Sequence, residues 1–204
     1  MAALEDFDGD GKVDMLWRDT TTGRNVMWFM DGATRVASGD TLGLNHPDWE
    51  LAGFGDFNGD GRTDFFWRNS ANGRNVFWLM DGLNRIGHGD IVALNDPAWN
   101  LAGLEDFDGD GRTDLLWRNA ANGRNVMWFM DGTSRTGAGD TLGLNDSDWT
   151  LTGFGDFNGN QRSDLLWHSE STGRNVMWFM DGTTRIGAGD TISLHFDPWL
   201  PVIK

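Results

Sequence analysis

Aspartate and glycine alternate in a nine-residue segment, DFDGDGKVD, at Asp6–Asp14. Carboxylates stand at its first, third, fifth and ninth positions, and the glycines between them allow the backbone to turn tightly. Ca²⁺ prefers hard oxygen ligands carried on such a loop. The segment therefore predicts a calcium site formed by the side chains of Asp6, Asp8, Asp10 and Asp14 and the main-chain carbonyl of Lys12.

The same segment returns three more times, at a spacing of fifty residues. It reads DFNGDGRTD at Asp56–Asp64, DFDGDGRTD at Asp106–Asp114 and DFNGNQRSD at Asp156–Asp164. With arginine supplying a main-chain carbonyl, the predicted ligands are Asp56, Asn58, Asp60, Arg62 and Asp64; Asp106, Asp108, Asp110, Arg112 and Asp114; and Asp156, Asn158, Asn160, Arg162 and Asp164. The chain is thus expected to bind up to four structural Ca²⁺ ions.

The four loops differ in charge. The first and third carry four carboxylates each, the second carries three, and the fourth carries two, because asparagine replaces aspartate at Asn58, Asn158 and Asn160. The fourth loop also has Gln161 where the others have glycine, at the sharpest point of the turn. We expect the first and third loops to bind Ca²⁺ most tightly and the fourth to be the weakest or empty.

Two other interpretations of these loops remain. They could be acidic turns held by side-chain bonds to the backbone, without metal, although clustered carboxylates then repel each other. A catalytic metal is disfavoured because every loop repeats the same groups and none contributes histidine. An EF-hand is excluded by Trp17, which stands where that motif has its bidentate glutamate.

The residues between the loops have the pattern of short strands. In the second unit we predict strands at Trp49–Phe57, Asp64–Arg68, Asn75–Met80 and Arg85–Leu94, with a polar turn at Asn69–Gly73 and a hairpin turn at Asp81-Gly82. No window has the apolar spacing of a helix. Val76, Trp78 and Met80 should face one side of their strand, and Phe77 and Leu79 the other.

Four antiparallel strands with apolar residues on both faces describe a propeller blade, and a period of fifty residues suits one. The predicted fold is all-β, a single propeller domain of four four-stranded blades over residues 1–204, with repeats at 1–48, 49–98, 99–148 and 149–198. Residues 199–204 are expected to complete the entry strand of the first blade. A four-bladed monomer is preferred; an eight-bladed ring from a symmetric homodimer is the alternative.

Composition narrows the classes of function. The net charge is −15, which argues against binding to nucleic acid. No apolar run approaches the length of a membrane span. There is no cysteine, and no signal peptide precedes the repeats, so any export signal lies outside this sequence. Loops of modest calcium affinity fill most readily outside the cell, so we expect a secreted or cell-surface protein.

The run GFGDFNGDGRTDFFWRN at Gly53–Asn69 and its counterparts, followed by NVMWFMDG at Asn25–Gly32, Asn125–Gly132 and Asn175–Gly182, resembles the FG-GAP-like, or VCBS, repeat family. The resemblance extends over essentially the whole chain. It implies a β-propeller with calcium in the inter-strand loops, bound by the aspartates and asparagines listed above. Such repeats occur in integrin heads, bacterial surface proteins, lectins and accessory domains of polysaccharide-degrading enzymes. Members commonly have about seven blades, so four repeats are a departure.

Tryptophan and arginine also recur in register. Trp17 and Trp28, with their equivalents, are expected in the core. A third series lies just after loop residues, where an indole could present a face to a sugar ring: Trp49, Trp99, Trp149 and Trp199. A wedge between blades is the plainer alternative. The arginines suit either carboxylated sugars or the acidic loops of a neighbouring blade.

A catalytic site is not expected, since His46, His88, His168 and His195 occupy unrelated repeat positions and no nucleophile accompanies them. Equivalent units instead favour several equal binding sites. The predicted function is a multivalent, lectin-like carbohydrate-binding module. The alternative is a structural, protein-interacting or self-assembling scaffold without catalysis, and a consensus-designed sequence would fall in that class.

Overall fold

The computed structural model describes residues 1–191, and these form strands and turns with no helix. The predicted fold class is confirmed: the chain is all-β, with four four-stranded antiparallel sheets of the propeller-blade type. Trp199 and the proposed closing segment 199–204 lie outside the described residues. Ring closure, and the choice between four and eight blades, stay predictions.

Each sheet is a simple meander in which consecutive strands are neighbours. The first sheet contains β1 (Ala3–Glu5), β2 (Asp14–Arg18), β3 (Asn25–Asp31) and β4 (Thr34–Thr41). The second contains β5 (Trp49–Gly55), β6 (Asp64–Asn69), β7 (Asn75–Asp81) and β8 (Asn84–Ile91). The third contains β9 (Trp99–Glu105), β10 (Asp114–Asn119), β11 (Asn125–Asp131) and β12 (Ser134–Thr141). The fourth contains β13 (Trp149–Gly155), β14 (Asp164–Ser169), β15 (Asn175–Asp181) and β16 (Thr184–Asp190).

The turns form where the sequence predicts them. Gly82 has a φ of 56°, which lets the β7–β8 hairpin close with Asp81 paired to Asn84. In the polar turn after β6, the amide of Gly73 donates to the carbonyl of Asn69 at 2.8 Å, and the Asn69 side chain accepts from the amides of Ala71 and Asn72. The Asx turn explains why a polar residue ends this strand.

The structure divides into two compact units, one of Met1–Pro97 with Met130–Arg135, the other of Ala98–Phe129 with Thr136 onward. In the first unit, apolar side chains of the first two sheets share one core, formed by Phe7, Leu16, Met27, Phe65, Trp67, Val76, Trp78 and Met80. In the second unit, the third and fourth sheets share an equivalent core, formed by Phe107, Leu116, Met127, Leu165, Trp167, Trp178 and Met180.

The predicted alternation along β7 is confirmed. Val76, Trp78 and Met80 belong to the core shared by the first two sheets. Phe77 is fully buried on the other side, where its ring meets Phe57 at a centroid distance of 4.5 Å. A strand buried on both faces is therefore the central feature of this blade, and the neighbouring outer strand β8 is largely exposed.

Candidate metal centre

The first aspartate of each acidic loop organises the turn through backbone amides. In the first loop, the Asp6 carboxylate accepts from the amides of Gly9 and Gly11, both at 2.8 Å, and of Asp10 at 3.2 Å. Gly9 and Gly11 have φ values of 80° and 81°, a region that side chains disfavour. The two glycines and the Asp6 carboxylate together fold the backbone into a tight turn around that carboxylate.

The last aspartate ties the loop to the sheet. Asp14 is buried, and its two carboxylate oxygens accept from the amides of Phe7 at 3.2 Å and Met30 at 2.8 Å. Asp64 makes the same two bonds, to Phe57 at 3.0 Å and Met80 at 2.7 Å. These bonds link the end of the loop to its beginning and to the third strand of the sheet.

The structure brings three of the predicted ligands together in the first and third loops. Carboxylate oxygens of Asp6, Asp8 and Asp14 lie within 4.8 Å of one another, and those of Asp106, Asp108 and Asp114 do the same. Three anionic oxygen groups on a turning backbone form a donor set that suits a hard cation such as Ca²⁺. These two clusters could therefore hold a metal ion.

The fifth position is arranged differently. The Asp10 carboxylate is not part of the first cluster; it accepts from the Lys12 amide at 2.9 Å and from Lys12 Nζ at 3.0 Å. Asp110 accepts in the same way from the amide and Nη1 of Arg112. Binding by the fifth side chain would require this exposed ion pair to open, and binding by the carbonyl at position seven stays a prediction.

In the second and fourth loops, asparagine stands at the third position. Asn58 and Asn158 accept from the amides of Asp60 and Asn160 at 3.0 and 2.9 Å, as the aspartates of the other loops do. In the fourth loop the side-chain amide of Asn160 also donates to the carbonyl of Met180 at 2.7 Å. These loops keep the turn while offering fewer anionic oxygens.

Burial raises the pKa of several carboxyl groups in these loops. The pKa of Asp64 rises to about 7, because loss of solvent outweighs the two amide bonds and nearby carboxylates add to the effect. Burial also raises the pKa values of Asp14 and Asp108. Amide bonds, first that from Gln161, lower the pKa of Asp156. A bound cation would favour the ionised form of each raised group.

At the other end of the second, third and fourth sheets, a predicted tryptophan meets an arginine. The guanidinium carbon of Arg74 lies 5.5 Å from the ring centroid of Trp49, and the Arg124–Trp99 distance is 5.6 Å. Arg174 lies 5.9 Å from Trp149 in the same way. All three indoles are half-buried. Trp49 and Trp149 also pack against the apolar cores of their units, as the plainer alternative of a wedge predicts for one side of the ring.

Each of these arginines also pairs with an aspartate of the fourth strand. Arg74 Nη2 lies 2.7 Å from Asp90, Arg124 Nη2 lies 2.6 Å from Asp140, and Arg174 pairs with Asp190. Sequence reasoning did not single out these aspartates. The recurring Gly-Asp dipeptide at the end of the fourth strand was the available signal. We call each group of tryptophan, arginine and aspartate a Trp–Arg–Asp site.

A cavity of about 510 Å³ lies in the first unit, beside one of these tryptophans. Trp49 lines it with Arg18, His46 and Glu50, so apolar and polar groups face the same space. The guanidinium of Arg18 is held there by bonds that it donates to the carbonyls of Gly23 and Leu44. The cavity thus has a fixed wall.

Comparison with protein families identifies the repeats. The model of the FG-GAP-like repeat matches residues 6–67 and 106–167, each match running from a first loop aspartate through the following loop to the tryptophan after it. The chain belongs to the FG-GAP-like repeat family. The matches extend over more than half of the 204 residues and include all four acidic loops. No curated protein matched the sequence.

Family membership agrees with the strand topology and with the metal-compatible clusters. FG-GAP-like repeats often bind calcium and are typical of extracellular or surface proteins. Within residues 1–191 the structure has no helix of the length and apolar character needed to cross a bilayer. The fold is that of a structural or interaction propeller. Because a fold does not determine what a protein binds, the ligand has to be inferred from the chemistry of the surface sites.

Proposed function

We propose that this FG-GAP-like chain is a secreted, calcium-stabilised module that binds carbohydrate at several equivalent sites and has no catalytic activity. The observation that carries the proposal is the Trp–Arg–Asp site, which recurs in three sheets at the same position. Calcium would act structurally in the acidic loops, at the opposite end of each sheet. Ca²⁺ there would neutralise carboxylates that otherwise repel each other.

The three groups of this site suit the surface of a sugar. An indole packs against the apolar C–H face of a pyranose ring, while arginine donates and aspartate accepts hydrogen bonds from hydroxyl groups. Because the arginine lies over the indole, it also restrains the ring that the sugar would contact. The arginine and aspartate together carry no net charge, and the chain carries −15. A neutral sugar is therefore favoured over an acidic one.

Repetition would compensate for weak individual sites. A half-buried indole offers a ligand only a small contact area, so the affinity of one site would be low. Several sites on one chain raise the local concentration of the second and third contacts, and overall binding then exceeds that of any single site. A polysaccharide with repeated neutral residues is the ligand class that would benefit.

Glycan-array screening followed by calorimetry tests this proposal. Trp99→Ala should weaken binding to a neutral polysaccharide identified on the array, because it removes one stacking surface. Ile86→Ser, on the exposed outer strand, is the control and should leave that binding unchanged. An array without hits would reject carbohydrate recognition, and equal binding by the Trp99→Ala variant would reject the Trp–Arg–Asp site as the place of binding.

A protein-interaction scaffold is the second candidate, and one observation favours it. Aliphatic side chains stand exposed at the same position of three fourth strands: Val36 is 61% exposed, Ile86 57% and Ile186 58%. Exposed aliphatic residues that together form a contiguous patch are a feature of protein contact surfaces. Loss of a protein contact on Ile86→Ser, with Trp99→Ala unaffected, would support this candidate instead.

A further inference from the structure

Backbone hydrogen bonds join neighbouring acidic loops within each unit. In the first unit, the amide of Thr63 in the second loop donates to the carbonyl of Asp6 in the first, at 3.1 Å. In the second unit, the amide of Ser163 in the fourth loop donates to the carbonyl of Asp106 in the third, at 2.9 Å. In each bond the acceptor is the first predicted ligand residue of one loop. The donor is the residue that precedes the last aspartate of the next loop.

An arginine strengthens the connection between the third and fourth loops. Arg162, at position seven of the fourth loop, donates from Nε to the carbonyl of Asp108 at 2.9 Å. The same Nε lies 3.2 Å from the carboxylate of Asp181, which holds the guanidinium from its own sheet. A side chain of the fourth loop therefore bonds to the main chain of Asp108, whose carboxylate belongs to the cluster in the third loop.

The glycine at position four makes room for this arginine. A Cβ placed on Gly109 would lie 3.2 Å from Cγ of Arg162, and a Cβ placed on Gly9 would lie 3.2 Å from Cγ of Arg62. In the first unit, the aliphatic part of Arg62 therefore packs on the turn of the first loop. In the second unit, that of Arg162 packs in the same way on the turn of the third loop. The contact is repeated although the sequences of the two units differ.

We infer that the acidic loops work as coupled pairs, first with second and third with fourth, in which metal binding to one loop positions the other. The inference rests on the proposed calcium role. A cation bound by Asp106 and Asp108 would fix the backbone whose carbonyls accept from Ser163 and Arg162. Ser163 and Arg162 would then be held in place, and with them the predicted fourth-loop ligands on either side, Asn160 and Asp164. Coupling of binding sites is reciprocal, so occupation of the fourth loop would also tighten the third.

Hydrogen exchange at increasing Ca²⁺ concentration, read by mass spectrometry on the full chain, separates the loops. The variant Asp108→Asn/Asp110→Asn gives the third loop the side chains that the fourth already has at these positions. We expect it to raise the Ca²⁺ midpoint for protection of residues 156–164 by about tenfold, although the fourth loop itself is unchanged. Protection of residues 6–14 should keep its wild-type midpoint and serves as an internal reference.

A second variant tests the arginine directly. Arg162→Met keeps an apolar stem over Gly109 and removes the donor to Asp108, so the Ca²⁺ midpoint for residues 106–114 should rise several-fold. Arg24→Met removes one positive charge from an exposed pair with Asp40, away from the loops, and should leave both midpoints unchanged.

The outcomes distinguish failure of coupling from failure of calcium binding. If residues 106–114 gain protection with Ca²⁺ but the double variant leaves the midpoint of residues 156–164 in place, the loops are independent and the inference is wrong. If no acidic loop gains protection at any Ca²⁺ concentration, both the calcium role and the coupling are rejected. Carbohydrate binding is a separate measurement and does not bear on either result.

Discussion

The guanidinium of Arg18 lies over the indole of Trp67, with 4.9 Å between its central carbon and the ring centroid. Arg18 belongs to the second strand of the first sheet, and Trp67 to the second strand of the next. The same contact joins Arg118 to Trp167 in the second unit, at 4.8 Å. An arginine on the face of a fully buried tryptophan thus joins the two sheets in each unit.

Replacing Arg18 should destabilise the protein more than replacing an exposed arginine. Arg18 donates to the carbonyls of Gly23 and Leu44 and to the side chain of Asn25, so Arg18→Met would leave these acceptors without their donor. We expect a loss of about 2–3 kcal/mol in the free energy of unfolding. Arg24→Met breaks only the exposed pair with Asp40 and should cost less than about 1 kcal/mol. Equal losses in urea denaturation would contradict the structural role of Arg18.

Gln161 is the one described non-glycine residue with a positive φ, 63°. The first three loops have glycine here, and a Cβ on Gly111 would meet nothing within 4 Å. A side chain at this position therefore causes no steric clash, and its unfavourable contribution comes only from the positive φ of the backbone. Gln161→Gly should raise the free energy of unfolding by about 1 kcal/mol, and the reverse change Gly111→Gln should lower it by a similar amount. Thermal denaturation of both variants tests these two predictions. If the stability changed in the same direction in both, an interaction other than the positive φ would determine it.

Removal of calcium should lower thermal stability. A ligand that binds only the folded state, present at a hundred times its Kd, adds about 2.7 kcal/mol per site. Scanning calorimetry with Ca²⁺ and with a chelator should therefore differ by several degrees in Tm. Mg²⁺ is the control ion, because it requires a regular octahedral geometry and gives up its bound water reluctantly, so it should bind these loops more weakly. An unchanged Tm in chelator would count against a structural calcium.

The sites should also differ in affinity. Titration calorimetry should resolve two tighter sites, in the loops where the structure groups three carboxylates, from weaker binding elsewhere. Asn58→Asp restores the missing carboxylate of the second loop and should tighten one of the weaker sites, since an added charge is brought near the cation. Four equal sites in the wild type would contradict this order.

The metal-free protein should lose stability as the pH rises from 5 to 8. The pKa of Asp64 is about 7 in the folded state, above its ordinary value near 4, so the folded form holds a proton that the unfolded form has released. Ionisation of this buried group on going to pH 8 then opposes folding. Raised pKa values at Asp14 and Asp108 act in the same direction.

Calcium should remove this pH dependence, because the bound cation stabilises the ionised carboxylates. Urea denaturation at pH 5 and pH 8, with chelator and with saturating Ca²⁺, gives the four values needed. The carboxyl groups whose pKa values are lowered, such as Asp156, are ionised in both states over this range and do not contribute. Stability that rises with pH in chelator would be opposite to the expected sign.

Local sequence patterns were sufficient to place the strands. The β7 prediction of Asn75–Met80 differs from the observed Asn75–Asp81 by one residue, because the hairpin turn at Gly82 fixes where the strand ends. The fourth strand was predicted to extend to Leu94 and ends at Ile91. Beyond that point the Leu94 amide bonds to the carbonyl of Gly73 in a turn, a long-range contact that no local pattern reveals.

The acidic loops were predictable in part for the same reason. Asp6, Asp8 and Asp14 meet because the loop between them is short and its glycines dictate the turn. The orientation of Asp10 toward Lys12, and the reach of Arg162 to the carbonyl of Asp108, depend on side chains choosing among nearby partners. Such choices follow from packing in three dimensions, and spacing along the chain does not encode them.

The bond from Thr63 to Asp6 spans fifty-seven residues, as does that from Ser163 to Asp106. A contact with this constant offset is retained when the two repeats that share it are copied together, because donor and acceptor are then copied with it. An insertion or deletion between the two loops would move the donor away from its acceptor. The bond therefore holds the two repeats of each pair to a fifty-residue period.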